Sequence, residues 1–431
     1  MKSSDRLAIA FDLGTTTIAA SLLDLDSGAR LADAGSLNPQ REFGSDVVSR
    51  LAAACASRDA LGRMARLVNG ELERLAGEIL AAAGASPGGL ATVAIAGNPA
   101  MEHLLLGLPV ESLAFPPYRP LFTAGRTVST ADLGWQTAVD ACIFPLPGGF
   151  VGGDLVAFLY GAGVAGHPSF RPSRVPVTRH RLFLDLGTNG EIALVAGERI
   201  YATSAAAGPA FEGGNLACGM AALPGAISGV AFVDDRVGLS VIGGGAPAGV
   251  CGSGVIEAIA GLLRAGVMDA TGRLLAPGEI PSNLANRVIS RNGETAFLLY
   301  RDAQREICLT QQDIRQVQLA KAAIRAGMEV LFEKARIRYD AVQEVILTGS
   351  FGARLTPDGL KNVGIFPEKM VEICSFVRDG ALAGVERAAC TSRGSEAVDA
   401  LAAALRVIPL SGTPAFEKHF LEQMNFPEIK N

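Results

Sequence analysis

Asp12-Leu13-Gly14-Thr15-Thr16-Thr17 and Asp185-Leu186-Gly187-Thr188-Asn189-Gly190 are the two stretches on which the reading of this chain turns. Each follows a short apolar run, Leu7 to Phe11 and Leu182 to Leu184, and each leads into another, Ile18 to Leu25 and Glu191 to Val195. Apolar runs of this length bounded by turn residues predict buried strands, so each copy predicts strand, tight turn, strand. Asp26-Ser27-Gly28 closes the first copy as a hairpin turn; Gly197-Glu198 closes the second and leads into a further strand over Arg199 to Thr203. A repeat this widely spaced predicts an internal duplication with two lobes of similar topology, rather than a solenoid.

An aspartate ending a buried strand ahead of Gly-Thr suits nucleotide phosphates. The glycine lets the backbone approach a phosphate, backbone N–H groups and threonine hydroxyls donate to its oxygens, and the carboxylate reaches Mg2+ directly or through water. One copy reads equally as an Asx-turn ahead of a hairpin. Two copies predict two lobes that grip one triphosphate from both sides.

Working outward, 431 residues with 49% hydrophobic and 19% charged side chains can bury two or three domain-sized cores. A formal charge of -5 and a pI near 5.6 argue against nucleic acid or an anionic membrane as partner. Cys55, Cys142, Cys218, Cys251, Cys308, Cys374 and Cys390 lie far apart in sequence, with no C-x-x-C pair and no iron-sulfur ligand pattern. They read as small buried apolar residues in a reducing compartment. The polar start, Met1 to Arg6, is followed by only five apolar residues before Asp12, too few for a signal peptide or a membrane span, so the cytoplasm is expected.

Arg58 to Ala83 has helical composition and ends at Gly84, and Thr92 to Ala96 reads as a strand. Val255 to Ala265 and Gln311 to Arg336 read as helices, the second opened by a Thr310/Asp313 capping box, and Val342 to Leu347 as a strand. On the long helix Gln318, Lys321 and Arg325 edge an apolar stripe of Ile314, Val317, Ile324, Met328 and Leu331. Phe150 to Ala157 is a glycine-rich turn entering a helix, in which Asp154 reads as a helix cap or as something more. Cys251-Gly252-Ser253-Gly254 opens another helix, and close packing explains its glycines better than anion binding does. His167 to Arg181 is the candidate crossing between lobes.

In its two Asp-Leu-Gly-Thr motifs the chain resembles the superfamily of actin, heat-shock chaperone ATPases and sugar or acetate kinases. The resemblance implies an α/β chain of two ribonuclease H-like lobes, the actin-like ATPase fold, with a nucleotide cleft between them. Residues 1–178 would form the first lobe with phosphate loop 1, and residues 179–431 the second with phosphate loop 2 and the adenosine motif, the C-terminal segment being a candidate to pack back on the first lobe. It further implies ATP and Mg2+ as ligands, with Gly14, Thr15, Thr16 and Thr17 in one loop and Gly187, Thr188 and Asn189 in the other. Asp12 and Asp185 would serve the metal and the chemistry. Gly349, Ser350 and Phe351, in Thr348-Gly349-Ser350-Phe351-Gly352, would hold adenosine, with Gln318 and Lys321 as further contacts to ribose and base. Asp154 would be the catalytic base or water-positioner, a role suited to phosphoryl transfer.

Longer strings narrow the resemblance: Asn38-Pro39-Gln40, Phe43-Gly44-Ser45-Asp46-Val47, Gly97-Asn98-Pro99-Ala100-Met101-Glu102-His103, Ala207 to Gly213, Gly249 to Gly254 and Gln312 to Lys321. Together they are similar to the ATPase domain of the reductive activators of corrinoid proteins, over nearly the whole chain. Such activators use ATP to drive a low-potential electron onto an inactive corrinoid, taking Co(II) to Co(I). The resemblance implies an ATPase whose partner is a corrinoid protein or cobalamin-dependent methyltransferase, and a homodimer. Because relatives usually carry a ferredoxin domain whose pattern is missing from this sequence, no iron-sulfur cluster is expected in this chain and a separate ferredoxin-like donor is. The segment from Asn38 to Asp46 is expected near the partner or cleft mouth, and Gly208 to Gly213 to line the cleft with Glu212 as its carboxylate; both read equally as turns around Pro39 and Pro209. The alternatives are a small-molecule sugar or carboxylic acid kinase, an activator of a radical dehydratase, and a filament protein of the actin type.

Overall fold

A computed structural model of the chain describes residues 6–166, 169, 179–349 and 355–428; Ser350, Phe351 and most of the His167 to Arg181 crossing lie outside the described residues. In chain order the first elements are β1 (Leu7–Leu13), β2 (Thr17–Asp24), β3 (Arg30–Leu37), α1 (Val47–Ala56), α2 (Arg58–Ala82), β4 (Leu90–Gly97), α3 (Pro99–Leu105), α4 (Glu111–Ala114), β5 (Arg126–Ser129), β6 (Asp140–Ile143) and α5 (Gly153–Gly161). Next come β7 (His180–Leu186), β8 (Gly190–Ala196), β9 (Arg199–Ala205), β10 (Ala226–Val233), β11 (Arg236–Val241), β12 (Gly249–Val250) and α6 (Gly252–Arg264). Then follow β13 (Val288–Arg291), β14 (Glu294–Arg301), β15 (Glu306–Thr310), α7 (Gln311–Ala335), β16 (Glu344–Thr348), α8 (Pro357–Val363), α9 (Glu368–Val371) and β17 (Cys374–Phe376). The last are α10 (Gly380–Ala389), α11 (Gly394–Ala404), β18 (Leu405–Val407) and α12 (Pro414–Glu422). These elements divide into two compact units, Met1–Val177 with Glu198–Ala202 and Asp379–Val407, and Thr178–Gly197 with Thr203–Arg378 and Ile408–Asn431.

The first unit is built on a six-stranded sheet of order β3-β2-β1-β4-β6-β5. β1 runs antiparallel to β2, with Asp12 opposite Ala19, and parallel to β4, with Asp12 opposite Ala96. Leu7 to Phe11 are all buried, which is why β1 reads as a continuous apolar run rather than an alternating one. Ser57 caps α2 by accepting from Ala60 N–H at 3.3 Å, and Met64, Val68, Leu72, Leu75 and Ile79 form its buried stripe.

Helices α5 and α10 of this unit meet through glycine. A Cβ on Gly384 would lie 1.8 Å from the Ala157 carbonyl oxygen, and one on Gly161 would lie 3.0 Å from Gly384 Cα. Arg387 locks the pair, its Nη1 donating to Tyr160 O at 2.8 Å while the guanidinium covers the Tyr160 ring.

In the second unit β7 runs antiparallel to β8, with Asp185 opposite Glu191, and parallel to β16, with Asp185 opposite Thr348; β16 is parallel to β17. The neighbours of β7 thus repeat those of β1, a hairpin partner on one side and a parallel strand on the other. The duplication expected from the repeated motif is a duplication of topology. The Thr310/Asp313 capping box forms as expected, with Asp313 N–H donating to Thr310 Oγ1 at 3.1 Å and Thr310 N–H to Asp313 Oδ2 at 2.9 Å. Ile314, Val317, Ile324, Met328 and Leu331 are all buried. Two further three-stranded sheets, β11-β10-β12 and β13-β14-β15, were not anticipated. β11 alternates exposed and half-buried positions and β13 has no fully buried one, so the signal that betrayed β1 and β7 is missing from them.

The glycine crossing is open to test in urea. Gly384→Ala is expected to cost about 1–3 kcal/mol, since its methyl has nowhere to go. Gly70→Ala, on α2 with nothing within 4 Å of the new methyl, is expected to be neutral or to stabilise by up to about 1 kcal/mol.

Candidate functional site

The first Asp-Leu-Gly-Thr turn joins β1 to β2. A Cβ on Gly14 would lie 2.6 Å from Thr17 O, so the chain folds back on itself more tightly than a side chain allows. Two asparagines brace it. Asn98 Nδ2 donates to Thr15 Oγ1 at 2.9 Å, and Asn38 Nδ2 donates to Gly14 O at 2.9 Å while Asn38 N–H donates to Thr16 O at 2.8 Å. Because Thr15 Oγ1 accepts from Asn98, its own proton is directed elsewhere and can donate to an oxygen ligand. Asp12 is half-buried at the strand end, and Thr16 and Thr17 are exposed.

Both asparagines also cap helices. Asn98 accepts from Met101 N–H at 3.1 Å at the start of α3, and Asn38 accepts from Gln40 N–H at 2.9 Å ahead of the short 3-10 turn begun by Pro39. Asn38, Gln40 and Arg50 are fully buried, and Arg50 Nε donates to Gly44 O at 3.0 Å. The start of the Asn38 to Asp46 segment thus braces the first turn, and the turn around Pro39 forms.

The second turn joins β7 to β8 and is braced in the same manner from within its own unit. Gly187 N–H donates to Asn189 O at 3.1 Å, Gly208 N–H to Thr188 O at 2.9 Å, and Thr188 Oγ1 to Glu212 Oε2 at 2.5 Å. Gly208 has φ of +76°, a conformation glycine adopts freely, and that lets Pro209 start a short 3-10 turn ending at Glu212. Close packing accounts for the glycines after Cys251, since a Cβ on Gly252 would lie 1.7 Å from Phe211 O and one on Gly254 2.2 Å from Ile227 O. Gly349, directly after β16 and with φ of +119°, backs on the end of β7; its Cβ would lie 2.4 Å from Leu186 O.

Asp154 is not the cap of α5. That position is Gly152, and Asp154 is the second helical residue, its Oδ1 accepting from Leu155 N–H at 2.8 Å. The approach is close on every side. A Cβ on Gly152 would lie 2.5 Å from both Asn98 Cα and Gly97 O and 2.9 Å from Asp154 Oδ1, and a Cβ on Gly153 would lie 2.5 Å from Glu102 Oε1. Loop 97–98, the Glu102 carboxyl and the Asp154 helix start are therefore one packed cluster, beside the residue that holds Thr15.

Glu102 was not singled out in the sequence as a site residue. It is fully buried, Oε1 accepts from Gly97 N–H at 3.1 Å, and Oε2 has no hydrogen-bond partner. Burial, then the neighbouring Asp154 charge, hold its carboxyl well above the usual range. Burial likewise raises Asp154, to about 6, against the lowering effect of the Leu155 N–H. Both carboxyls of the pair are thus held above their ordinary range, Asp154 at about 6. Only the spacing of the string Asn98 to Glu102 could have suggested it, and that spacing reads equally as an ordinary helix start.

Gln318 and Lys321 are buried on α7 with their polar ends engaged by backbone carbonyls. Gln318 Nε2 donates to Thr271 O and Met424 O, each at 3.0 Å, and Lys321 Nζ donates to Asn425 O at 2.5 Å. Burial, then Arg325, lower the Lys321 amine to about 7. Both residues thereby hold the segment after α12.

Comparison with known proteins supplies context. Residues 179–431 match the family model for the C-terminal domain of RACo, the ASKHA domain, and residues 7–166 match that for the RACo middle region. The corrinoid activation enzyme RamQ of Eubacterium limosum is 30% identical over 426 residues, which is 97% of this chain and 70% of RamQ. A Methanosarcina barkeri reductase of the Co(II) methylated amine-specific corrinoid protein is 29% identical over 217 residues, 45% of this chain and 36% of that protein. Among solved structures, a reductive activator for a corrinoid, iron-sulfur protein superposes with a TM-score of 0.86 at 27% identity, over 99% of this chain and 67% of that one.

Two stability measurements check the braces and the acid pair. Asn98→Ala, which removes both a helix cap and the Thr15 contact, is expected to cost about 1–3 kcal/mol. For Glu102, a raised native pKa means that the folded state binds more protons than the unfolded one, so stability falls as pH rises through 4.5, the unperturbed value, toward the native one. Urea melts across pH are expected to show Glu102→Gln gaining on wild type as pH rises above 4.5; parallel curves would place Glu102 outside any titrating pair.

Proposed function

The chain belongs to the RACo family, with the actin-like ATPase fold of its ASKHA domain, and from that membership we propose that it is an ATP-dependent reductive activator of a corrinoid protein. ATP binding and hydrolysis would be coupled to the reduction of Co(II) to Co(I) on that partner. The reading also makes it a cytoplasmic homodimer that takes its electron from a separate low-potential donor protein. Among the described residues no helix is long and apolar enough to cross a membrane.

The observation that carries the reading is the matched bracing of the two Asp-Gly-Thr turns. Each has a glycine turn, a threonine whose hydroxyl is held by a residue of a second family string, and a half-buried aspartate at a strand end. Each turn would bind nucleotide phosphate. Magnesium fits this donor set, since Asp12, Asp185 and threonine hydroxyls are hard oxygen ligands and Mg2+ usually takes only one or two carboxylates besides phosphate and water. When bound it would neutralise phosphate charge. Asp154, ionised above about pH 6, has the basicity to orient or deprotonate an attacking water near neutral pH.

Why ATP should help an electron transfer follows from linkage. A nucleotide moves an equilibrium only by its differential affinity for two conformations, so the ATP-bound form must be the one whose complex with the corrinoid protein favours Co(I).

The deciding experiment mixes the purified chain, MgATP, a low-potential donor and candidate Co(II) corrinoid proteins, and follows the visible spectrum. ATP-dependent appearance of Co(I) or methyl-Co(III) is expected. If no candidate responds while a sugar or carboxylic acid accelerates ATP loss, the chain is a small-molecule kinase instead. Asp12→Ala and Asp185→Ala are each expected to weaken MgATP binding by on the order of a hundredfold, about 3 kcal/mol. Asp154→Asn is expected to spare binding while lowering turnover by roughly a hundredfold or more. In the wild type, turnover is expected to fall about tenfold per pH unit below the Asp154 value, a limb that Asp154→Asn lacks.

A further inference from the structure

Cys218 and Cys308 are remote in sequence, but a single nitrogen of Arg291 touches both. Arg291, the last residue of β13, has Nη1 donating to Cys218 Sγ at 3.0 Å and to Cys308 Sγ at 2.7 Å. The two sulfurs can therefore be no farther apart than those distances laid end to end. Cys308 sits within β15, which shares a sheet with β13 through β14, and is fully buried. Cys218 precedes the Gly219 to Val250 bridge, its carbonyl accepting from Val250 N–H at 2.8 Å, and is half-buried. It is thus the sulfur that a reagent reaches first.

The two thiols are not alike. A hydrogen bond from Cys308 lowers Cys218 to about 5, with Arg291 adding to the effect against the cost of partial burial; Cys308 is raised in turn. The remaining cysteines with a displaced thiol go the other way, burial raising Cys55 and Cys390 and pushing Cys374 up to about 12. A thiolate beside a guanidinium with a second thiol in reach is the arrangement of a site that exchanges with disulfides. The sequence, with its widely spaced cysteines, implied only inert buried thiols.

We propose that Cys218, Cys308 and Arg291 form a dithiol–disulfide site whose substrate class is a small disulfide. The Cys218 thiolate attacks one sulfur of the disulfide, forming a mixed disulfide and releasing one thiolate. That thiolate takes the Cys308 proton and leaves as a thiol. The Cys308 thiolate then attacks Cys218 Sγ, closing the intrachain disulfide and releasing the second thiolate. Two protein thiols are oxidised as one disulfide is reduced to two thiols. The closed bond ties the segment leading to Gly219 onto β15. That segment begins at Gly213, directly after the Glu212 that holds Thr188 of the second turn.

The test uses the whole reduced chain and oxidised glutathione at pH 7, followed by denaturing alkylation and peptide mass mapping. Loss of two of the seven thiols in one Cys218–Cys308 linked peptide, reversed by dithiothreitol, is expected. Cys308→Ser is expected to stop at a glutathione adduct on Cys218. In the native wild type, which needs no substitution to fold, iodoacetamide is expected to alkylate Cys218 at rates differing less than about twofold between pH 6 and 8, where an ordinary thiol gains roughly tenfold per unit. Arg291→Met is expected to restore part of that dependence. Absence of the linked peptide, oxidation spread over other cysteines at equal rate, or a wild-type Cys218 rate that climbs like an ordinary thiol's overturns the proposal.

Discussion

Two threonine hydroxyls, Thr15 and Thr188, are held by side chains from elsewhere in their own units, and the candidate chemistry depends on that constraint. A glycine turn by itself is soft. It becomes a fixed set of donors only when hydrogen bonds that cannot be exchanged for water decide where its backbone points. Asn98 and Asn38 do this for the first turn, and Glu212 with Gly208 for the second. The solutions differ in proton bookkeeping. Thr15 accepts and keeps its proton for a ligand, whereas Thr188 gives its proton to Glu212. The two halves of the duplication have therefore diverged in what they can offer a phosphate, although the strands flanking β1 and β7 still match.

The same packing that braces the first turn creates the acid pair. Gly152 and Gly153 bring the start of α5 so close to Gly97 and Glu102 that no side chain fits between. A carboxylate so placed is raised by loss of hydration, and a second one beside it cannot ionise at the same pH. Asp154, raised to about 6, is thereby suited to accept a proton, and the Glu102 carboxyl beside it is held above the usual range. Backbone approach through glycine thus reaches the electrostatics of the site, and the α5–α10 crossing at Gly161 and Gly384 carries the same closeness through the body of the first unit.

Family strings that had no chemistry in the sequence acquire one here. Asn38, Asn98 and Gly208 to Glu212 are the holders of the two turns, and the glycines after Cys251 let α6 start against Phe211 and Glu212. Gln318 and Lys321, read as nucleotide contacts, are engaged by the carbonyls of Thr271, Met424 and Asn425. Their burial is what the apolar stripe beside them required, and a buried amide or amine takes whichever carbonyls the fold brings to it.

The sequence by itself determined the two strand-turn-strand copies, the long helices with their caps and stripes, and the turn residues at Gly28 and Gly197. Each of these is local, written in the period of apolar residues and in the few residue types that turns and caps accept. It left the two small sheets unseen because strands such as β11 and β13 lack a continuous buried run. Only the tertiary structure decided that Asn98 reaches Thr15, that Glu102 lies beside Asp154 and that Arg291 gathers Cys218 to Cys308. These are contacts between residues far apart in the chain, set by how strands register and helices approach, and no short-range pattern records which side chains a fold will leave facing one another.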